Sequence, residues 1–349
     1  MKRFRKQLSL LVITVLSLAL IVGCAGTGIT TKSSGSESSK EKSKDGKYKI
    51  ATVVKLSNSA WFERMDAGVK RFAKETGVDA YQIGPQKADA ALQVQMIEDL
   101  IAQNVDAIVV VPFSPEALEP VLKKARDKGI VVISHEASNL ENVDYDIEAF
   151  NNAAYGEHLM NKLGELTKGE GEYATFVGNL TTKSHNEWID AAVKLQGDKY
   201  PKMKLVADRN ESNDDQKTAY ETTRELLKKY PNLKGIQGSG MPDAAGAALA
   251  VEEMGLTGKV KVVGTSLVSV AGKYLKSGSL DMISFWDPAD AGYAANQLAY
   301  KILEGKKNEL KDGLDLGAAG YDQLKLDGKV FYGKAWIDVT KENMDQYDF

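Results

Sequence analysis

From residue 48 onward, short apolar runs alternate with stretches in which apolar side chains recur every three or four positions. Residues 49–54 form a first run suited to a buried strand, and Phe62, Met65, Val69, Phe72 and Ala73 then fall on one helical face. Gly77 stands where a helix ends in a left-handed turn. Residues 79–83 predict a second strand, and Leu92, Met96, Ile97, Leu100 and Ile101 a second helix. The run 107–111 (AIVVV) has no polar face, as expected of a strand in a parallel sheet covered on both sides. Leu118, Val121, Leu122 and Ala125 mark a further helix, and residues 130–134 a fourth strand.

The alternation then begins again. A helix over 155–166 precedes a strand at 172–177, and a helix over 188–195 precedes one at 204–207. Asp214 is expected to cap the N-terminus of a helix reaching Tyr230, followed by a strand at 235–238. Pro242-Asp243 opens a helix ending before Gly255, and 260–264 (VKVVG) and 282–285 are two more strands. A helix over 290–303 and weakly alternating short strands within 324–339 complete the chain. Strands alternating with helices of this length imply βαβ units, hence an α/β protein of two doubly wound halves. No repeat links the two halves in sequence.

The first residues differ. Lys2, Arg3, Arg5 and Lys6 precede an apolar run over 8–22, too short for the roughly 20 residues of a membrane span but suited to a secretory signal. Ile21-Val22-Gly23-Cys24 resembles the bacterial lipoprotein signal, which implies removal of 1–23, lipidation of Cys24 and anchorage outside the cytoplasm at the cell membrane. Residues 24–47 are rich in Ser, Gly, Thr, Lys and Glu, with too little to bury, so a flexible tether is expected.

Composition then narrows the chemistry. Cys24 is the one cysteine, so disulfides, thiol catalysis and cysteine metal sites are excluded. The formal charge of −3 grows more negative once the basic leader is removed, which leaves no basic footprint for nucleic acid. No Walker loop, GxSxG, HExxH or GxGxxG after the first strand occurs, and the histidines are His135, His158 and His185 only. An enzyme, a metal site or a cofactor is therefore not expected.

Ligands of open α/β sheets bind beyond the carboxyl ends of the strands, and in two-domain proteins between the domains. That rule selects Lys55, His135, Glu136, Ser184, His185, Ser239, Met241, Trp286 and Asp287, with Trp61 and Phe62 close by. Charged and hydroxyl groups suit directed hydrogen bonds to ligand hydroxyls, and flat aromatic rings cover the C–H face of a sugar. A small polyhydroxylated ligand fits this mixture. Asp243 serves equally well as a helix cap or a ligand contact, and Trp188 as core or as wall. A lysine closing a buried strand, as Lys55 does, needs a partner.

The chain resembles the type I periplasmic sugar-binding proteins of ABC importers, over 48–349, and most of all their autoinducer-2- and rhamnose-binding branch. The resemblance is carried by Gly84-Pro85 with 89–100 (DAALQVQMIEDL), by 105–111 (VDAIVVV) and by 114–125 (SPEALEPVLKKA). Asn186-Glu187-Trp188, Trp286-Asp287-Pro288 with Gly292-Tyr293, and the terminal Asp345-Gln346-Tyr347-Asp348-Phe349 add to it. It implies two Rossmann-like lobes joined by a three-crossing hinge near Phe150-Asn151, Asp287-Pro288 and residues 333–336. The N-terminal lobe would then hold 48–150 plus 288–334, and the C-terminal lobe 151–287 plus 335–349. It further implies a monomer that takes a small sugar or autoinducer-2 and delivers it to an ABC permease with its ATPase. Nucleoside binding and ligand sensing for a membrane signalling protein are the alternatives this architecture allows. Lys55 and Trp286-Asp287 match the branch, and Lys55 and Asp287 would act from opposite sides of the cleft. Glu136 stands where the autoinducer-2 binders have aspartate, Ser184-His185 where they have Asp-Gln, and Ser239 and Met241 where they have proline and alanine.

Overall fold

The structure, a computed structural model, describes residues 47–349; the leader, Cys24 and the tether as far as residue 46 lie outside the described residues. The first sheet has the order β2-β1-β3-β4-β5-β12-β11. Its strands are β1 (Lys49–Val53), β2 (Asp79–Ile83), β3 (Ala107–Val110), β4 (Val131–His135), β5 (Tyr145–Glu148), β11 (Lys325–Asp327) and β12 (Val330–Tyr332). Only β11 runs antiparallel to its neighbour. All four residues of β3 are buried, because helices cover both faces of the sheet: α1 (Ala60–Thr76), α2 (Ala90–Ala102), α3 (Pro115–Asp127) and α9 (Pro288–Leu303).

The second sheet has the order β13-β10-β9-β8-β6-β7. It is built from β6 (Glu170–Val177), β7 (Lys202–Glu211), β8 (Leu233–Gly238), β9 (Lys261–Thr265), β10 (Met282–Phe285) and β13 (Ile337–Val339). Its helices are α4 (Asn152–Leu166), α5 (Lys183–Lys199), α6 (Gln216–Lys229), α7 (Met241–Glu253) and α8 (Val268–Ser277). The chain passes between the sheets three times: from β5 to α4, from β10 to α9, and from β12 to β13. The expected α/β class, with two doubly wound sheets, is the one found.

The differences from expectation are local and have physical causes. The strand β5 escapes apolar-run reading because two of its four residues, Asp146 and Glu148, are acids that are nonetheless buried. Burial raises both carboxyls, Asp146 to about 7, while the Ser134 hydroxyl donates to Asp146 at 2.6 Å. The helix α8 was also not foreseen, although Ala271, Tyr274 and Leu275 make its buried face and Gly278 closes it at φ +80°. The helix α5 starts at Lys183, so Ser184 and His185 sit on a helix and not in a loop. The residue that caps α6 is Asp215, whose side chain accepts from the Thr218 N–H at 2.7 Å; Asp214 is released for another task.

Two helices approach closely where one lobe meets the hinge. A Cβ on Gly68 of α1 would lie 1.8 Å from the Ala289 carbonyl oxygen at the start of α9. One on Gly292 would lie 2.7 Å from the Met65 carbonyl oxygen. The glycine at each point lets backbone rest on backbone. Deeper in the same contact Asn296 of α9 donates to the Thr52 hydroxyl of β1 at 2.9 Å, both fully buried.

Candidate functional site

The carboxyl ends of β1, β4, β8, β9 and β10 and the N-termini of α1, α5 and α7 converge on one cleft between the two sheets. The cleft is narrow, with about 40 Å³ of free space between its walls. Of the residues selected from sequence, Lys55, Trp61, Phe62, Glu136, His185, Ser239, Met241 and Trp286 line it. Trp188, Asp214 and Thr265 line it as well.

The aromatic wall is a packed assembly. Trp61 meets Trp286 edge-on at 4.6 Å between ring centroids, and Trp188 meets Trp286 at 6.0 Å. The indole N–H of Trp188 is held by Asn152 Oδ1 at 2.7 Å, whereas that of Trp286 is buried without a partner among the described residues. Trp188 is thus both core and wall.

Lys55 is 6% exposed and faces Asp214 Oδ2 at 3.0 Å across the cleft. Burial by itself would lower the Lys55 ammonium, but the charges of Asp214 and Glu136 outweigh it and raise the group. Burial likewise works against ionisation of Asp214, and the Lys55 charge prevails, holding this carboxyl below its usual range. Asn213 and Asp214 adopt φ of +56° and +53°, and this left-handed pair turns Asp214 back toward Lys55. Asn and Asp are the non-glycine types that tolerate such a conformation. The signal was present in the sequence, but the expectation that Asp214 caps α6 hid it; the neighbouring acid Asp215 takes that role.

Glu136 follows β4 with φ +62°, a strained conformation for Glu. Burial raises its carboxyl, which Lys55 and His135 offset only through space; no described residue donates a hydrogen bond to it. His185 accepts the Gly178 N–H on Nδ1 at 3.0 Å, which places its own proton on Nε2. Burial and the Lys55 charge push its pKa down to about 3, so it is a neutral donor throughout the physiological range. The hydroxyl of Ser239 is fully buried and has no hydrogen-bond partner among the described residues.

Three selected residues do not line the cleft. His135 donates from Nδ1 to the Ile147 carbonyl at 2.6 Å and stands edge-on to Trp286 at 6.1 Å, behind the wall. Ser184 is fully buried, with no hydrogen-bond partner for its hydroxyl among the described residues. Asp287 caps α9 by accepting the Ala289 N–H at 2.8 Å. It also binds Arg64 through both oxygens, at 2.8 and 2.6 Å. The expectation that Asp287 opposes Lys55 across the cleft is corrected: the carboxylate opposing Lys55 is Asp214, and Asp287 is spent at the hinge. Arg64 in turn lies 3.9 Å over the Phe349 ring.

Asp243, at the third position of α7, accepts the Ser239 and Gly240 N–H groups at 3.2 and 2.7 Å, so of its two possible roles it takes that of a cap. Burial, with the nearby Asp214 charge, raises it to about 7. A carboxyl raised on folding holds a proton that the unfolded chain releases, so it removes stability as pH rises from about 4 to 7. Asp243→Asn is expected to flatten this fall by about 2 kcal/mol between pH 5 and 8, read from urea midpoints at each pH. Asp146 and Glu148 keep a residual slope of the same sign. An unchanged slope in the variant would show that Asp243 is ionised in the folded protein.

A profile of the periplasmic binding protein domain matches residues 50–307. The chain is 31% identical to the D-allose-binding periplasmic protein of Escherichia coli over 259 residues, which is 69% of this chain and 80% of that one. Its fold superposes with a TM-score of 0.80 on an L-rhamnose-bound ABC transporter solute binding protein from Clostridium phytofermentas, at 22% identity, covering 86% of this chain and 98% of the other. A TM-score of 0.78, again at 22% identity and covering 86% and 100%, relates it to LsrB from Clostridium saccharobutylicum in complex with AI-2.

Proposed function

The chain belongs to the periplasmic binding protein family, and from that premise we propose that it captures a small sugar, or the sugar-like signal autoinducer-2, and hands it to an ABC importer. It is a binding protein and not an enzyme, as its relatives are solute-binding proteins. One observation carries the ligand class. Among the described residues Ser239 Oγ and Trp286 Nε1 are buried without partners, and Glu136 accepts no hydrogen bond; all three converge on one aromatic-walled cleft. Unpaired buried polar groups are costly, and a ring carrying several hydroxyls is the ligand that satisfies donors and acceptors together. Flat indole faces serve its C–H surface.

In this reading Lys55 and Glu136 contact the ligand from the first lobe, and His185, Ser239, Met241 and Trp286 from the second sheet's side. Trp61 and Phe62 cover the ring. His135 acts from behind the wall, and Asp287 at the hinge. The protein works as a monomer whose lobes close on the sugar about the three crossings, and the closed form is what the permease accepts. Lipidation of Cys24 holds it at the outer surface of the membrane.

Calorimetric titration of the full chain, refolded to strip carried-over sugar, tests this. The panel holds allose, ribose, xylose, rhamnose, glucose, galactose, autoinducer-2 and adenosine. At least one sugar or autoinducer-2 should bind with micromolar or tighter affinity, about −8 kcal/mol. Glu136→Gln should weaken that ligand about 10–100-fold, the loss expected for a charge-assisted hydrogen bond. Binding of adenosine alone would replace the sugar reading with a nucleoside one.

A further inference from the structure

The cleft contains one cation and two carboxylates, and their pairing is unequal. Among the described residues Lys55 is the one lysine or arginine that lines the cleft, at 6% exposure. A buried ammonium left unpaired would itself be a seat for a ligand carboxylate or phosphate, because a buried charge demands an opposite one. Asp214 occupies that seat from the other lobe at 3.0 Å, with both side chains more than nine-tenths buried. Its placement is built into the fold. A Cβ on Gly178 would lie 2.5 Å from Asp214 Oδ1, and one on Gly240 3.2 Å from the same atom. Glycines after β6 and β8 therefore leave the space that this carboxylate fills, while the left-handed Asn213-Asp214 pair aims it. Glu136 then remains as a second carboxylate facing the cleft with no hydrogen-bond donor of its own. An anionic ligand would meet a Lys55 already paired with Asp214 and a Glu136 carboxyl with no hydrogen-bond donor.

Resting on the sugar-receptor reading, we infer that Asp214 sets the charge preference of the cleft: by saturating Lys55 it makes the site take neutral sugars and reject their acids, the aldonates and uronates. A neutral sugar donates hydroxyl protons to Glu136, whereas an acid adds a like charge beside it. Because the ion pair joins the two lobes, this selection operates where the ligand is enclosed and water is scarce, and there like charges are least screened.

The test is titration of matched pairs: ribose with ribonate, xylose with xylonate, galactose with galacturonate, and glucose with glucuronate. For whichever neutral sugar binds, the wild type should bind its acid about 100-fold more weakly or worse. D214N frees Lys55 while keeping the shape of the side chain, and should narrow the gap to about tenfold or less, mainly by gaining affinity for the acid. D214E, which keeps the charge, should restore the rejection. D214S is measured beside D214N, with melting temperatures establishing that each variant is folded. A wild type that binds an acid within about tenfold of its sugar overturns the inference, as does an unchanged gap in folded D214N and D214S. Those results would leave the sugar receptor standing. Silence of the wild type toward every sugar and every acid would overturn the receptor reading and this inference with it.

Discussion

Trp286→Ala is expected to cost the folded protein about 3–5 kcal/mol, the range for truncating a large buried aromatic. The side chain is 2% exposed and touches aromatic rings from every side of the junction. Trp61 comes from α1, Phe150 from the first crossing, and Tyr155 and Trp188 from α4 and α5. Removing the indole opens a hole among rigid rings that cannot collapse into it, since each is held by partners of its own. Tyr155, for example, donates to the Ser284 carbonyl at 2.7 Å. Urea denaturation followed by circular dichroism reads the loss directly. Trp286→Phe keeps most of the packing and should cost roughly half as much or less. A loss below about 1 kcal/mol for the alanine variant would mean that the ring is a loose part of the wall and not its keystone.

Gly68→Val should be still more disruptive per atom added, with a loss of more than about 3 kcal/mol in unfolding free energy. Overpacking is ordinarily relieved by a side chain giving way, and here the obstacle is the Ala289 carbonyl oxygen, 1.8 Å from the new Cβ. Backbone must move, and the backbone concerned follows the second crossing directly, at the N-terminus of α9. The Arg64–Asp287 pair is anchored beside it and would be displaced together with the helix. Denaturation midpoints measure the stability, and small-angle scattering should show a changed distribution of lobe separations. A midpoint within experimental error of the wild type would show that α1 and α9 slide apart freely, contrary to the packing described.

How far the chain announces these arrangements depends on the range over which each is decided. The strands β1 and β3 and the helix α1 were legible because an unbroken apolar run and a period of 3.6 are properties of the local chain. The place of the site was legible too, since parallel strands of a doubly wound sheet all end on one side, and Lys55, Glu136, Ser239 and Trp286 stand just beyond such ends. The strand β5 was hidden because its buried acids are tolerated only by partners elsewhere in the sheet, such as Ser134. What each charged group does was hidden for the same reason. Lys55 and Asp214 are 159 positions apart, and Arg64 and Asp287 223 apart. No local period relates such residues. Their pairing depends on how two sheets and the helices between them come to rest, and a shift of an ångström or two would exchange one carboxylate for another. Residue order along the chain thus settled the architecture and the mouth of the cleft, since both follow from short-range geometry repeated many times. The choice of Asp214 over Asp287 as the partner of Lys55 was made by packing between distant segments, because electrostatic pairing is decided by distance in space.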